Sequence, residues 1–516
     1  MNDLKRKDFL KKIIVLTIGS VILSKFLQGK SFFKNLIPQE MPVAGMLKGK
    51  INEFAIIDLH CHPSLKMYLW NKHIWKRHCT KAGTNTFAMQ QDFQELSSGN
   101  VKGFMATHYL VEKAITEESG ILKNLFPWIK RFSFSLADKL EHHDYSNFTQ
   151  INKMIDIFES QIHILNEKQQ VFQFIIARSF TEFEKAIDEG KIPIAHAIEG
   201  AHALGTDLTV EQERKILKID KRTRKNLKNQ QTRVDIEKEA EQQFKLEVGK
   251  MKDGIKKSTK YIQNLEALHM RGVCMITLSH FFKNDISFPT EGISYDEKIK
   301  IKMRWHYQPC DDKELTRDVG VPVVKKMLEL GIIVDLTHST PKIRRQVFCL
   351  NADREKQNLE QRPLTFTHVG SQKVFEKYAK GKFPTFNFYN VSPEDIKGIS
   401  CCEGVIGVIP ENFWLTGCDT NLSGCDPEQS RYGIEYIVET IMDINDQTDK
   451  KDFSNIAIGT DFDGLADAPE DLYKASQLTR LIKAMKEHNP PIPEDKIKDI
   501  THGNALRLLK KGWGQE

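Results

Sequence analysis

Apolar residues along the chain fall into eight short runs that are separated by longer, mixed segments. Runs of four to eight apolar residues with β-branched character predict strands that are buried on both faces. The first run, "FAIIDLHCH", ends at Pro63. The eight predicted strands lie near residues 54–57, 103–110, 192–200, 272–280, 331–339, 363–371, 404–410 and 455–464.

Helical periodicity separates most of these runs. In "LTRDVGVPVVKKMLELG" apolar residues recur at helical spacing, and Gly331 is placed to end the helix. In "SPEDIKGISCCEG", Ser392 is a predicted N-cap with acidic residues in the first turn. Strands that alternate with helices predict a parallel sheet. Eight repeats, with no GxGxxG after the first strand, favour an α/β fold of the closed (β/α)8 TIM-barrel type over a doubly wound sheet.

Two regions depart from the repeat and are predicted to be helical insertions in the barrel, which spans residues 54–516. Residues 111 to about 180 are long and mostly helical in pattern. Residues 209–262 are densely charged, which predicts a protruding helical hairpin with a solvated face. A partner-binding arm is the alternative interpretation of this charged insertion.

The N-terminus has the layout of an export signal. A basic segment precedes an apolar run from Ile13 to Leu23, so residues 1–30 are predicted to be a signal or membrane anchor and residues 31–53 a linker. "RKDFLK" is similar to the twin-arginine export motif, with Lys7 in place of the second arginine. No small-x-small cleavage site follows, which favours an uncleaved anchor and an exported, periplasmic or cell-surface location. An ordinary amphipathic helix is the alternative.

Composition excludes several other classes of protein. Of the 516 residues, 28% are charged and 40% are hydrophobic, so the chain is not a multispanning membrane protein. A net charge of +6 is small for this length and does not predict nucleic-acid binding. The nine cysteines cannot all pair within the chain, although Cys418 and Cys425 flank a glycine-containing loop and could form a disulfide in an oxidising compartment.

Polar residues close six of the eight predicted strands. A single histidine at a strand end is more often structural than a ligand, but six strands ending this way are hard to explain by packing, because buried ionisable groups are costly unless paired or metal-bound. In a barrel, the carboxyl ends of the strands form the active-site face. The residues are His60, His62, Glu199, His280, His338, His368 and Asp461.

Imidazoles and carboxylates are ligands for zinc, with manganese, iron or cobalt as substitutes. The set is too large for one tetrahedral ion and predicts two ions, with Glu199 as the natural bridge because a carboxylate has two oxygens. A water held between two such ions ionises near neutral pH and becomes a nucleophile. Asp461 would then take its proton and pass it to a leaving amine. Asp58 and Asp463 are expected to orient their strand end and loop.

These residues carry a resemblance to the membrane dipeptidase (renal dipeptidase) family, the M19 metallopeptidases of the amidohydrolase superfamily. The matching segments run in family order from about residue 54 to residue 510, without the insertions. They are "IIDLHCH", "AIEGAHAL", "MITLSHFFKND", "ELTRDVGVPVVKKMLELGIIVDLTHST", "LTFTHVGS", "GVIGVIPENF", "IAIGTDFDG" and "GNALRLL".

The resemblance implies roles for individual residues. His60, His62 and Glu199 would bind one zinc ion, and Glu199, His338 and His368 the other. Asp461 would be the general base. His280 would polarise the substrate carbonyl and support the oxyanion, with a role in orienting other residues as the alternative. The implied reaction is hydrolysis of a dipeptide, and the implied assembly is a homodimer.

Two positions depart from the family pattern. The family usually has Asp-x-His-x-Asp in its first motif, and His62 replaces the last aspartate. At the start of "FYNVSPEDI" the family often has Arg-Asn, where the arginine holds the substrate carboxylate; Tyr389 and Asn390 take these substrate-binding positions here. A phenol can hydrogen-bond a carboxylate but cannot neutralise it. Lys373 and Lys377 are candidate substitutes.

Three functions compete on this basis. The first is a dinuclear zinc dipeptidase. The second is another amidohydrolase that acts on a different amide, lactam or ester, which the changes at His62 and Tyr389 favour. The third is a barrel without catalytic activity that serves as a surface binding module, against which the complete ligand set argues.

Overall fold

The computed structural model describes residues 54–76, 78, 89–112, 146–168, 173–205, 257–290, 313–379, 386–418, 433–464 and 468–514. The predicted signal or anchor (1–30), the linker (31–53) and most of the charged insertion (209–262) lie outside these residues. The last part of that insertion, from Lys257, begins a helix. No helix within the described ranges has both the length and the apolar character needed to span a bilayer.

Nine parallel strands form one sheet. Their bounds are β1 Ile56–Cys61, β2 Val101–Tyr109, β3 Phe174–Ala177, β4 Ile192–Glu199, β5 Val273–Thr277, β6 Ile333–Asp335, β7 Thr365–Val369, β8 Val405–Val408 and β9 Ile456–Ile458. Strands β1 and β9 pair with each other, and β2 also pairs with β4, so eight of the strands close into a barrel. The predicted (β/α)8 fold is therefore confirmed, and all eight predicted strands are barrel strands.

Strand β3 is the ninth, and it corrects the expectation that residues 111 to about 180 are helical throughout. It pairs with the first half of β4, from Ile192 to Ala195, while the barrel pairing of β4 with β5 begins at His196. Strand β3 therefore adds to the outside of the closed sheet where β4 extends beyond its barrel neighbour.

Helices cover the outside of the barrel. Their bounds are α1 Pro63–Trp70, α2 Phe93–Ser98, α3 Asn147–Lys168, α4 Phe180–Asp188, α5 Lys257–Met270, α6 Gly320–Leu330, α7 Pro341–Ala352, α8 Gln372–Ala379, α9 Pro393–Cys401, α10 Asn412–Thr416, α11 Gly433–Gln447, α12 Leu478–Glu487, α13 Glu494–Lys498 and α14 Asn504–Gly512.

Local sequence explains the two helices that were predicted most sharply. Helix α6 ends at Gly331, which adopts the left-handed conformation (φ 74°) that glycine accommodates without a Cβ clash. Helix α9 begins after Ser392, and the side chains of Ser392 and Asp395 each accept a hydrogen bond from the other's backbone N–H. Both predicted signals are confirmed.

Two clusters of buried side chains hold the strands to the helices. The larger includes the buried apolar side chains of α3, α6 and α11, and the smaller packs β1 and β4 against α4, α14 and Trp513. The strands are buried along nearly their whole length, as expected for a barrel that is covered by helices. This packing holds the carboxyl ends of the strands in place, and with them the polar residues that follow.

Cys418 is disulfide-bonded, and its partner lies outside the described residues. The predicted pairing with Cys425 stays a prediction. The other described cysteines are free, and Cys61, Cys274 and Cys402 are buried as small core residues.

Candidate metal centre

The barrel brings all seven of the predicted polar residues to one face. Each lies at or just beyond the carboxyl end of its strand; six are nearly inaccessible to solvent, and the Asp461 side chain is 16% exposed. The residues are His60 and His62 at β1, Glu199 at β4, His280 after β5, His338 after β6, His368 in β7 and Asp461 after β9.

The first group of ligand atoms joins β1 to β4. His60 Nε2 lies 3.0 Å from His62 Nε2, and His62 Nε2 lies 3.2 Å from Glu199 Oε2. His60 Nε2 is 3.7 Å from the other oxygen, Glu199 Oε1. Three ligand atoms within 4.8 Å of one another can share one ion. This group contains the residues predicted for the first metal.

The second group joins β4 to β6 and β7. Glu199 Oε1 lies 3.2 Å from His338 Nε2 and 3.4 Å from His368 Nε2, and the two imidazole nitrogens are 3.2 Å apart. Glu199 belongs to both groups, and its two oxygens face different imidazoles. A carboxylate placed in this way can bridge two ions, as the sequence predicted.

Asp461 lies beside the first group. Its Oδ1 is 3.0 Å from His62 Nε2 and 3.9 Å from His60 Nε2. The backbone N–H of Asp461 donates to the carbonyl of His60, and its φ of 50° is the left-handed conformation. His338 also has a positive φ, of 64°. Non-glycine residues in this conformation are strained, and such strain concentrates at functional sites.

Burial and close contact shift the pKa values of these groups in opposite directions. Although burial opposes a charged imidazole, the carboxylates of Asp461 and Glu199 raise the pKa of His62 to about 10. Burial lowers the pKa of His60 and His368 well below the usual range. Burial also raises the pKa of Asp461. A cluster of imidazoles and carboxylates whose pKa values shift in opposite directions is typical of a functional site.

Two buried oxygens confirm that the cluster fits metal ions. Glu199 Oε1 and Asp461 Oδ1 have no hydrogen-bond partner, although both are inaccessible to water. A buried acceptor without a donor is costly, and a divalent cation would satisfy both atoms. A Cβ at Gly464 would lie 2.3 Å from Asp461 Oδ1 and 2.5 Å from His62 Cδ2, so this glycine leaves the space between them open. The residues present therefore fit a metal centre.

Neighbouring groups orient the imidazoles. His62 Nδ1 lies 3.1 Å from the carbonyl oxygen of Thr107 in β2, to which it can donate a hydrogen bond while Nε2 faces the site. Asp58 accepts hydrogen bonds from the backbone of His60 and from the backbone and hydroxyl of Thr460. Asp58 thus ties the end of β1 to the loop that carries Asp461, in the orienting role expected of it.

His280 lies near the same Glu199 oxygen as His62 and is held by Glu112, a residue that was not predicted from the sequence. Its Nε2 is 3.5 Å from Glu199 Oε2, and its Nδ1 is 3.2 Å from Glu112 Oε2. Glu112 also accepts hydrogen bonds from Tyr109 and from the backbone N–H groups of Phe281 and Phe282. Although burial opposes ionisation, His280 lowers the pKa of Glu112 to about 2.

The signal for Glu112 was present in the sequence. It lies three residues beyond β2, and β2 was one of the two predicted strands with no polar residue assigned to its end. Glu112 was overlooked because it falls in the segment that was interpreted as helical. One of its four donors, Tyr109, ends β2, but the other three come from the segment after β5, about 170 positions away, and no local pattern predicts such contacts.

Tyr389 and Asn390 lie beside the second group of ligands. The Tyr389 ring is perpendicular to the His338 ring at 5.9 Å and also contacts Trp414, whose ring lies 5.6 Å from that of His368. The Asn390 amide accepts a hydrogen bond from the Gly370 backbone and donates one to the Trp414 carbonyl. Substrate binding by either residue stays a prediction.

The two lysines considered as substitutes for a carboxylate-binding arginine are engaged elsewhere. Lys373 pairs with Asp443 at 3.2 Å, and Lys377 pairs with Glu439 at 2.6 Å, both on α11. Arg344 is fully buried and binds Asp395 together with the carbonyls of Phe388 and Asn390. Arg344 therefore holds the backbone of the segment that carries Tyr389.

The second aspartate of the "GTDFDG" loop has a different environment from the first. Asp463 Oδ1 lies 2.8 Å from Lys66 Nζ and accepts a hydrogen bond from the Gln90 backbone, and the Gln90 side chain accepts one from the Asp463 backbone. These contacts fix the loop against α1 and the chain before α2, which agrees with the role expected for Asp463.

Fold and site together define a (β/α)8 barrel of the class that holds metal ions at the carboxyl ends of its strands. Comparison with known proteins gives the family. The sequence profile described as membrane dipeptidase (peptidase family M19) matches residues 50–223 and 208–512. The chain belongs to this family.

Individual relatives are more distant. An uncharacterised dipeptidase of Schizosaccharomyces pombe is 27% identical over 191 residues, which cover 37% of this chain and 39% of that protein. The probable dipeptidase PvdM of Pseudomonas aeruginosa has a similar structure, with a TM-score of 0.56 and 14% identity over 89% of this chain and 95% of that one. A metallopeptidase of Rhodobacter sphaeroides, solved with a phosphinate mimic of the dipeptide L-Ala-D-Ala, gives a TM-score of 0.51 and 14% identity over 90% of this chain and 100% of that one. At these identities the structural likeness establishes the fold alone.

Proposed function

We propose that this protein is a zinc-dependent dipeptidase with two metal ions, which hydrolyses the peptide bond of a small dipeptide. One observation carries the proposal: Glu199 presents one oxygen to His62 and the other to both His338 and His368, at 3.2–3.4 Å. Side chains from four strand ends thus converge on one carboxylate that can bridge two ions. Manganese, iron or cobalt could replace zinc in a site of this composition.

When bound, the two ions would act as Lewis acids and lower the pKa of a water molecule toward neutrality. Side chains of the protein would transfer the proton and bind the carbonyl oxygen. Asp461 Oδ1, buried and without a hydrogen-bond partner, is placed to accept the proton of that water and to return it to the leaving amine. His280 Nδ1 donates to the Glu112 carboxylate, and with the ring protonated on both nitrogens Nε2 is placed to donate a hydrogen bond to the oxygen of the scissile carbonyl.

The family and its relatives support a dipeptide as the substrate. The Schizosaccharomyces pombe and Pseudomonas aeruginosa relatives carry the name dipeptidase, and the Rhodobacter sphaeroides relative was solved with a dipeptide mimic. The alignment with the curated relative covers less than two fifths of its length. The proposal therefore depends first on the geometry of the site and only then on these names.

Hydrolysis of a dipeptide panel by the purified protein tests the proposal. The panel contains L,L- and L,D-dipeptides, the corresponding tripeptides and N-acetylated dipeptides. We expect cleavage of free dipeptides, loss of activity after treatment with a chelator, and recovery when zinc is added. A protein that carries two metal equivalents and cleaves no dipeptide would contradict the substrate assignment, and a protein that binds no metal would contradict the proposal as a whole.

A second candidate is a related hydrolase whose substrate has no free carboxylate. The phenol of Tyr389 takes the position at which an arginine was expected, and Lys373 and Lys377 pair with α11. A phenol donates a hydrogen bond to an amide or ester oxygen as readily as to a carboxylate, but it provides no charge. Faster cleavage of dipeptide amides and esters than of free dipeptides would favour this candidate.

We also propose that the protein is exported and is held at a membrane by residues 1–30. The basic segment and the apolar run from Ile13 to Leu23 support this location, and a disulfide at Cys418 is compatible with an oxidising compartment. Fractionation of cells that express the chain with and without residues 1–30 tests it. Recovery of the full chain in the cytosol would contradict it.

A further inference from the structure

One threonine hydroxyl contacts a histidine from each of the two ligand groups. Thr367 precedes His368 in β7 and is fully buried. Its Oγ1 lies 2.9 Å from His60 Nδ1 and 3.0 Å from His368 Nδ1. The same oxygen lies 2.7 Å from Asp335 Oδ2 at the end of β6.

The direction of these three hydrogen bonds follows from the chemistry of the hydroxyl. A threonine hydroxyl has one proton to donate and two lone pairs to accept with. Asp335 also accepts from Thr277 and Thr337, and as a carboxylate it can only accept from Thr367. Thr367 therefore donates to Asp335 and accepts from both imidazoles.

Both imidazoles are then protonated at Nδ1, and their Nε2 lone pairs point into the site. His60 Nε2 and His368 Nε2 both face Glu199 Oε1, at 3.7 Å and 3.4 Å. This is the tautomer that a metal ligand requires, and the partner of the other ring nitrogen commonly selects it.

Asp335, His60 and His368 also have potential ligand atoms within 4.8 Å of one another, but the oxygens of Asp335 are already engaged. Its two oxygens accept hydrogen bonds from the Thr277 hydroxyl and from both the hydroxyl and the backbone N–H of Thr337 and Thr367. A carboxylate with this many donors has its acceptor capacity filled. Asp335 therefore polarises Thr367 and does not compete for metal.

Two glycines, Gly407 in β8 and Gly459 just after β9, leave room for the Thr367 backbone. A Cβ at Gly407 would lie 2.0 Å from the carbonyl oxygen of Thr367, and a Cβ at Gly459 would lie 1.7 Å from it. Any other residue at either position would displace the Thr367 backbone and its hydroxyl.

The remaining ligands do not use this hydroxyl. His62 Nδ1 has the carbonyl of Thr107 as its partner, and His338 Nδ1 has no hydrogen-bond partner. Thr367 thus contacts one imidazole of each proposed metal site, His60 or His368, and does not contact the second one, His62 or His338.

We propose that Thr367 is a positioning residue that couples the two metal sites, because one hydroxyl fixes the tautomer and orientation of a ligand in each. This inference depends on the two-metal centre under Proposed function. Removing the hydroxyl should lower the metal affinity of both sites together. We expect a decrease of about 10–100-fold, which is typical when the hydrogen-bond partner of a metal-binding histidine is lost.

Metal analysis of variants tests the inference without an activity assay. Thr367→Val has nearly the same shape as threonine and lacks the hydroxyl, whereas Thr367→Ser keeps it. Thr365→Val is the matched control, because Thr365 is equally buried in the same strand and its hydroxyl bonds only to the carbonyl of Val405 among the described contacts. Metal content is measured after equilibration against a graded chelator series, and circular dichroism reports folding.

We expect wild type, Thr367→Ser and Thr365→Val to hold two metal equivalents with similar affinities. We expect Thr367→Val to lose both equivalents at a chelator strength that leaves the others loaded. Should Thr367→Val not fold, Thr367→Ala, which adds no bulk, takes its place in the same series.

The outcomes separate this inference from the proposed function. A wild-type protein that binds no metal would defeat both. A wild-type protein with two metals, beside a Thr367→Val protein with unchanged affinities, would overturn only the role of Thr367. Weakening of one equivalent alone would overturn the coupling, and equal weakening in Thr365→Val would assign the effect to the fold of β7.

Discussion

Asp461 combines three properties that a proton-transferring carboxylate needs. Its Oδ1 is buried, has no hydrogen-bond partner, and lies 3.0 Å from His62 Nε2, the nearest nitrogen of a predicted ligand. Its positive φ of 50° is strained for most residues, but asparagine adopts this conformation almost as readily as aspartate. Asp461→Asn therefore removes the basic oxygen without a change in the backbone.

For Asp461→Asn we expect both metal ions to remain bound and kcat to fall by about 10²–10⁴, the usual contribution of a positioned acid–base group. Steady-state kinetics and metal analysis on the same sample measure the two effects. Asp463→Asn is the matched comparison, because Asp463 lies in the same loop, also has a positive φ, and pairs with Lys66. Asp463→Asn should lower thermal stability and have a smaller effect on kcat, because it weakens the pair with Lys66. Near-normal kcat in Asp461→Asn would remove it from the proton-transfer role.

Individual residues were predictable from sequence where they follow a strand. The predicted ligands His60, Glu199 and His368 each end or nearly end an apolar run, and the barrel brings these strand ends close together. Glu112 and Thr367 were not predicted, because what matters for them is a hydrogen bond to a residue far along the chain. Thr367 contacts His60 across 307 positions, and hydrophobic periodicity contains no information about such a pair.

At the scale of elements, the barrel strands were predictable and β3 was not. Strand β3 is four residues long, pairs with half of β4, and is followed by Arg178 and not by a histidine or an acidic residue. Only five residues, 169–173, separate it from the end of helix α3, so a short apolar strand could not be separated from a continuing helix by periodicity. The barrel strands were clearer because six of the eight are closed by a histidine or a carboxylate.

A buried chain of hydrogen bonds attaches α3 to the barrel beside the metal centre. Ser64 Oγ lies 2.9 Å from His108 Nδ1, and His108 Nε2 lies 2.8 Å from His196 Nδ1 in β4. His196 Nε2 lies 2.9 Å from Glu159 Oε1 in α3. Because Glu159 only accepts when ionised, the donors run from Ser64 through both imidazoles to that carboxylate. Both imidazoles must be neutral for this order to hold, and burial lowers the pKa of each.

Glu159→Gln should weaken this attachment in a pH-dependent way. Burial opposes ionisation of Glu159, but the hydrogen bond from His196 and the nearby Arg178 and Arg271 lower its pKa from 4.5 to about 2. The ionised form is thus favoured by folding. Its stabilisation is fully present above pH 4.5 and is lost as the pH falls from 4.5 toward 2.

We therefore expect Glu159→Gln to lower the free energy of unfolding at pH 7 by about 1–2 kcal/mol, since the carboxylate is a quarter exposed and solvent screens the pair. The difference from wild type should shrink below pH 4.5. Urea unfolding at pH 7 and at pH 4 measures it. Glu167→Gln is the control on the same helix, where an exposed pair with His163 should contribute little. A difference that does not change with pH would contradict the ionised pair.

At the scale of the whole molecule, we expect metal binding and the stability of the barrel to be linked. The two groups of predicted ligands join the ends of β1, β4, β6 and β7 and bring imidazole nitrogens to 3.0 Å and 3.2 Å of each other. In the tautomers that metal binding requires, these nitrogens would present lone pairs to each other and repel at this distance. An ion at each group would replace that repulsion with bonds to both nitrogens and would satisfy Glu199 Oε1.

Removing the metal should therefore lower the unfolding temperature of the whole barrel. A ligand that binds only the folded state stabilises it by about 2.7 kcal/mol per site when its free concentration is 100 times its Kd. We expect calorimetry to give a lower melting temperature in chelator than in zinc, with a difference that grows as free zinc is raised. Magnesium is the control ion, because a histidine-rich site suits it poorly. Equal melting temperatures in chelator and in saturating zinc would mean that these strand ends hold no metal in the folded protein.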